Sequence, residues 1–395
     1  MRRPFLIMVV ILTTVLFAWG CSEQNSGQLD GASVPGPFMS TGSTISVAGG
    51  ELGTGATYAL FAPADWNGDL VVYAHGYVFP FEGVSLPDID GLRDAWLSMG
   101  YGVAYSSYSE TGYAVKEAVA NTRQLRGLFA AEFDMPSKTF LVGHSMGGLI
   151  SVMLAERNPA LYDGALPMCG TVGGSDMTVD YIYDVRALFD YFYDGVLPGN
   201  AQNVPEGTNP FALADTVVAA ILANPFPAME LAAVQQISIQ YADFGELIDA
   251  IVTAIFFHAG SWADVFLRTH RHDFYDNTGV WYTGSGDDNA LNAGVDRFEA
   301  TPDAAAYLER WYEPRGELKI PVVTLHTSRD QVVQVFQEDR YADIVAAAGK
   351  SDMLVQHVIE RYGHCAFTLE EQLAAFNELV SWSNSMESAG HGKEK

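Results

Sequence analysis

Positive charge is scarce in this chain. Its 395 residues carry 21 Lys+Arg against 48 Asp+Glu, a formal net charge of −27. A surface of that sign repels phosphate backbones, so nucleic acid is excluded as an expected partner. The acidic surplus favours solubility and is compatible with a salty habitat, but it selects no substrate. Cysteine is nearly absent: Cys21, Cys169 and Cys365 are all there are. Metal-ligand clusters are lacking as well. The stretch "HRHD" (270–273) has the composition of a site without further ligands at a suitable spacing, so it reads as a surface turn and no metal is expected. The stretch "GSGDDN" (284–289) reads as a loop and not as a calcium loop. No internal repeat is found, which sets repeat architectures aside.

Apolar material is plentiful. Hydrophobic residues make up 49% and aromatics 12% of the chain. That is ample for a buried core, so disorder is not expected over the body of the chain. The N-terminus follows export logic: Arg2 and Arg3, then "PFLIMVVILTTVLFAWG", then Cys21. The apolar run is short for a stable membrane span. "AWGC" resembles a bacterial lipobox, with Gly20 before the cut and Cys21 as the acylated residue. The expected product is an exported lipoprotein, held at the membrane by that anchor; plain secretion is the alternative. Residues 22–40, rich in Ser, Gly and Pro, read as a flexible tether.

From there, short β-prone runs alternate with helical periods. Strands are predicted at 56–63, 69–76, 102–109, 138–143 and 164–170, with helices at 88–100, 114–133 and 147–158. The alternation stops over 171–310, which is helical and aromatic-rich, and resumes with strands at 320–326 and 353–360 and helices near 336–349 and 369–384. Alternating strands and helices predict an α/β fold, a mostly parallel sheet covered by helices on both faces. The predicted organisation is a core of 41–170 and 311–385, a helical insertion of 171–310 and a disordered tail at 386–395.

The stretch "LVGHSMGGLI" (141–150) places Ser145 between a buried strand and a helix, inside G-x-S-x-G. This is the pattern of a nucleophile elbow, where small flanking residues permit a strained turn that exposes the serine Oγ at the carboxyl end of the sheet. At that position Ser145 also caps the helix, whose N-terminal amides favour developing negative charge. A serine nucleophile needs a base, and the base needs an orienting acid. Asp330 follows the strand "IPVVTLH" and His364 follows "MLVQHVIE", so both arrive at the same sheet edge in the order Ser, acid, His. The competing groups fit less well. Glu338 and Asp339 fall in the following helix, His326 precedes the acid, His357 is mid-strand, and His144 sits inside the elbow, where it lines the pocket without reaching Ser145 as a base. Oxyanion donors are expected from the backbone N–H groups of Tyr77, in the loop after "DLVVYA", and of Met146.

The pieces "VVYAHGY", "LVGHSMGG", "LHTSRDQVV" and "GHCAFT" together resemble the α/β-hydrolase superfamily, and "GHSMGG" resembles its lipases and esterases. The resemblance covers roughly 55–170 and 315–385 and implies that 171–310 is a cap. Where relatives often read Gly-x-x-Asp-x-x-Val-Pro around the acid, this chain has Thr327 in place of Gly and Gln334 in place of Pro. Tannase-like relatives also carry a cysteine beside the catalytic histidine, but their partner cysteine precedes the serine, where this chain has His144. Cys169 ends a strand at the active edge, so a Cys169–Cys365 disulfide is one expectation, with two inert buried thiols as the other. Five cap aromatics, Tyr181, Phe189, Phe192, Trp262 and Phe266, are candidates for a pocket lining or for the cap's own core.

The function implied is a serine hydrolase that cleaves a small-molecule or lipid-like carboxylic ester through an acyl-enzyme, with no cofactor. Two alternatives remain at this stage: a prolyl-oligopeptidase-like serine peptidase, and a non-catalytic surface protein on the same fold.

Overall fold

The computed structural model describes residues 45–388. The expected signal segment with Cys21, the tether and residues 389–395 lie outside the described residues. Eight strands form one sheet: β1 (Ile45–Glu51), β2 (Thr57–Pro63), β3 (Leu70–Ala74), β4 (Gly102–Ser106), β5 (Thr139–His144), β6 (Gly164–Met168), β7 (Val322–Arg329) and β8 (Leu354–Tyr362). Their order is β1-β2-β4-β3-β5-β6-β7-β8. From β4 to β8 every neighbouring pair is parallel, whereas β1–β2 and β2–β4 are antiparallel. β1 is absent from the sequence-based strands. Its segment "ISVAGGE" is half exposed and glycine-rich, so it has little apolar alternation to mark it.

The central strands show why the sheet is doubly covered. β3 to β6 are buried at nearly every position, as parallel strands between two helical layers must be. Alternate residues of β3 enter opposite cores. Leu70, Val72 and Ala74 pack with helices α2 (Val115–Glu132) and α3 (Met146–Arg157). Val71 and Tyr73 face the other side, where Trp96 of α1 (Asp90–Ser98) and Phe376 of α11 (Leu369–Ser388) lie. Helix α11 continues to Ser388, three residues past the expected start of the disordered tail. The chain runs from β3 outward to β4 and then returns to β5 on the other flank of β3. The carboxyl ends of β3 and β5 therefore border the crevice where α/β sheets bind their ligands.

Between β6 and β7 lies the helical segment: α4 (Ser175–Phe192), α5 (Pro210–Ala223), α6 (Phe226–Ala233), α7 (Phe244–Arg268), α8 (Asp288–Gly294) and α9 (Pro302–Tyr312). α9 runs two residues beyond the expected boundary at 310. Helix α7 is fastened to the sheet domain at both ends. Near its start, Glu246 accepts from Arg329 at 3.1 Å and Asp249 accepts from the Tyr362 hydroxyl. Near its end, Asp264 accepts from Tyr113 N at 2.7 Å, and Arg268 donates to Thr111 O at 2.8 Å and to Glu117 at 3.2 Å. The helix thus bridges the chain after β4 and the carboxyl ends of β7 and β8. The segment "GSGDDN" is tied internally, with Asp288 accepting from Gly284 N, Ser285 N and Ser285 Oγ.

Candidate active site

Ser145 has φ 55° and ψ −124°, left-handed backbone at a residue with a Cβ. Its neighbours explain how that strain is imposed. A Cβ on Gly143 would come 2.1 Å from Gly147 O, and one on Gly147 would come 2.0 Å from Ala74 O. The turn closes only because both positions lack a side chain. Gly76 passes close on the other side: a Cβ there would stand 3.2 Å from Ser145 Cβ. Ser145 occupies the N-cap position of α3, but its side chain makes no cap hydrogen bond. The capping role expected for it is therefore corrected: the hydroxyl is not used up by the helix amides.

Asp330 and His364 meet. His364 Nδ1 donates to Asp330 Oδ2 at 2.7 Å, which leaves Nε2 free to receive a proton. Asp330 Oδ1 accepts from Val332 N at 2.8 Å and Val333 N at 2.9 Å. Burial pushes the Asp330 carboxyl up, but His364, His326 and the Val333 amide outweigh it and hold the group below the usual carboxylate range. Among the described residues no hydrogen bond joins Ser145 Oγ to His364; in free enzymes such contacts are commonly long and tighten on substrate.

The two substitutions around Asp330 have structural work to do. Thr327 Oγ1 donates to Gly363 O at 2.7 Å, tying the acid strand to the histidine loop. Gln334 is buried, and its Nε2 donates to Gln331 O at 3.4 Å within the turn after Asp330. On the other flank of His364, Cys169 and Cys365 are joined as a disulfide with Cα atoms 5.2 Å apart. Cys169 N also donates to Leu325 O at 2.7 Å, so the histidine loop is bonded to a residue locked into the sheet.

The remaining histidines separate. His75 is buried, donates from Nδ1 to Gly76 O at 2.8 Å and stacks on Tyr108 with centroids 3.8 Å apart. Burial lowers it to about 4, so it shapes the loop as a neutral ring. His144 does not line the pocket as expected. It turns to the other face of the sheet, where Tyr73 Oη lies 3.0 Å from Nδ1 and Nε2 donates to Gln372 at 3.0 Å; burial lowers it to about 4. His357 is half-buried and pairs with Glu378 at 2.7 Å. His326 is fully buried beside Asp330, a placement that the sequence order concealed.

Ser145, Met146 and Tyr77 border one cavity of about 60 Å³. The other walls are mostly apolar and come from α4 (Val179, Ile182, Tyr183), α7 (Phe257, Val265) and the turn after Asp330 (Val332, Val333). None of the five aromatics singled out from the sequence lines it. Phe189 stacks on Tyr193 and Trp262 on Phe266, as ring pairs elsewhere in the insertion. Tyr183 and Phe257 take the expected role. Tyr183 stands two residues from Tyr181 and Phe257 five residues from Trp262, so helix orientation distinguishes the two sets.

Residues 103–225 match the Esterase family, described as "Putative esterase". No curated protein matches the sequence. Among solved structures, the chain is similar to an esterase of Pyrococcus furiosus at 10% identity and TM-score 0.44, covering 85% of this chain and 90% of that one. It is similar to a thermostable carboxyl esterase of Bacillus coagulans at 14% identity and TM-score 0.45, covering 86% and 98%. It is also similar to an acylaminoacyl peptidase of Pyrococcus horikoshii at 10% identity and TM-score 0.42, covering 87% of this chain but 41% of that one. These likenesses are remote, and the fold rests on the strand order and the elbow described above. The family match runs from β4 through the elbow to α5, 123 of the 395 residues, and includes Ser145; the strand order and the elbow give the chain the α/β-hydrolase fold.

Proposed function

We propose that the chain hydrolyses carboxylic esters by a Ser145–His364–Asp330 triad. The observation that carries this reading is the 2.7 Å bond from His364 Nδ1 to a buried, ionised Asp330, at the same sheet edge as the strained Ser145. His364 Nε2 takes the Ser145 proton as Oγ attacks the ester carbonyl. The oxyanion is met by the backbone N–H groups of Tyr77 and Met146. His364 then gives the proton to the departing alcohol, leaving an acyl-Ser145. Water, deprotonated by the same imidazole, adds to that acyl carbon, and the acid leaves as Ser145 regains its proton. The substrate is a small or lipid-like ester, and the insertion acts as a cap over the site. The cavity is small beside ordinary ligand pockets, which favours a short acyl group in it.

A fluorophosphonate probe and a nitrophenyl ester test the reading. Wild-type protein is expected to react with both and Ser145→Ala with neither; an unreactive wild type, or a reactive variant, would sink it. Export with a lipid on Cys21 belongs to the same reading and is supported by the basic start, the apolar run and "AWGC". Palmitate incorporation that is lost in Cys21→Ala is the expected result, and no incorporation into the full chain refutes the anchor.

A further inference from the structure

Behind the triad acid lies a second carboxylate–imidazole pair that the reaction does not touch. His326, in β7, has no exposed side-chain surface. Its Nδ1 is 3.1 Å from Glu338 Oε1, and its Nε2 is 2.8 Å from Val333 O and 3.7 Å from Asp330 Oδ2. Glu338 stands in the first turn of α10 (Phe336–Ala347) and is 3% exposed. Its Oε2 accepts from Thr324 Oγ1 at 2.5 Å and from Gln356 Nε2 at 2.7 Å. Those two donors occupy Oε2 and leave Oε1 to His326.

The hydrogen-bond inventory then fixes the state of His326. A carbonyl oxygen can only accept, so Nε2 must carry a proton. With Glu338 as a carboxylate, Oε1 can only accept, so Nδ1 carries one as well. A ring with acceptors at both nitrogens is an imidazolium. Burial opposes that charge, but the Glu338 bond and charge, Asp330 and the Val333 carbonyl outweigh it, and His326 is raised above its ordinary value.

We propose that His326, held as an imidazolium by Glu338, is a positioning residue for the triad: its fixed positive charge keeps the buried Asp330 ionised and aimed at His364. The inference rests on the reading of Asp330 as the triad acid and goes beyond it. Val333 couples the two pairs geometrically, since its N–H donates to Asp330 while its carbonyl accepts from His326. The other titratable groups facing this chain of four are neutral near pH 7. Tyr341 faces Glu338 from α10, Tyr181 faces Asp330 from α4, Tyr362 faces Asp330 from β8, and all three phenols are raised by burial. His144 faces His364 from β5 and is lowered to about 4.

Two measurements test this. In nitrogen-15-resolved spectra of histidine-labelled wild type near pH 7, His326 is expected to be protonated at both nitrogens; a neutral tautomer there overturns the proposal. The second is the acidic limb of the kcat/KM profile on a nitrophenyl ester, which reports His364. Removing the nearer cation leaves Asp330 acting more fully on His364, so the limb should move to higher pH by about half a unit in His326→Gln. Because that variant leaves Glu338 buried and unpaired, His326→Gln/Glu338→Gln is measured beside it and should move the limb in the same direction. A merely structural pair would lower stability or kcat while leaving the limb in place, and an unmoved limb in the folded double variant overturns the proposal. Asp330→Asn separates the two layers. Full activity in that variant removes the triad reading itself; loss of activity there, with an unmoved limb in the His326 variants, removes only the positioning role.

Discussion

Removing the disulfide should loosen the histidine loop and destabilise the whole domain. Cys169 and Cys365 are 196 residues apart in sequence, so the bond closes a loop that contains the entire insertion. In the chain-entropy description, opening a loop of that length returns about 5 kcal/mol of freedom to the unfolded state at 25 °C. Residual structure in the unfolded chain makes that an upper value. For a folded body of this size an unfolding entropy near 2.1 cal/mol/K per residue applies, and the loss corresponds to a fall in Tm of up to about 7 °C. The perturbation is Cys169→Ala/Cys365→Ala, which removes both sulfurs and leaves no new charge. Thermal unfolding followed by circular dichroism, at one fixed scan rate, gives the stability change. The kcat on a nitrophenyl ester, measured well below the new Tm, gives the local effect. Cys365 is adjacent to His364, so kcat should fall about tenfold or more even where the protein remains folded, because a small displacement of the base is costly. A double variant with unchanged Tm and unchanged kcat would refute the reasoning, as would two free thiols in the alkylated wild-type protein.

Three further outcomes follow from the same geometry. Asp330→Asn should lower kcat by roughly 10³–10⁴ while folding normally, since an amide at that position favours the wrong His364 tautomer; a kcat within tenfold of wild type contradicts the assignment. Asp330 also links stability to pH. Its folded-state value is depressed, so its contribution is present above the unfolded carboxylate range and is lost as pH falls through the folded value; the acid-induced drop in Tm should shrink in Asp330→Asn. Phe257→Ala should enlarge the cavity bordered by Ser145 and shift ester preference toward longer acyl chains, with a panel of nitrophenyl esters as the readout; an unchanged chain-length profile removes Phe257 from the acyl pocket. Gly147→Ala would place a Cβ 2.0 Å from Ala74 O, so soluble, fully active protein from that variant would contradict the elbow geometry.

Much of the site was legible because its signals are local. The order of Ser145, Asp330 and His364, each just after a strand, is a property of the chain and survives folding unchanged. The glycines of the elbow carried their reason in the sequence, and the contact distances at Gly143 and Gly147 supply the physical cause. The illegible parts depend on which way an element faces. Tyr183 and Phe257 line the cavity although Tyr181 and Phe189 on the same helix as Tyr183 do not, and helical periodicity alone gives no absolute rotation. His144 was read toward the pocket because it adjoins Ser145, yet the strained turn sends neighbouring side chains to opposite faces of the sheet. β1 escaped notice because a half-exposed edge strand with two glycines lacks the buried run that marks its neighbours.

The sequence by itself determined the alternation of strand and helix, the glycine-flanked serine turn, the order of the candidate catalytic groups and the place of the insertion, because each is written in residues close together along the chain. The tertiary structure decided what surrounds them. It brought Glu338 to His326 and both to Asp330, passed α7 across the sheet edge, and turned two aromatic rings rather than their neighbours toward Ser145. Those contacts join residues whose meeting depends on how strands pair and helices rotate, and no local pattern in the chain encodes that.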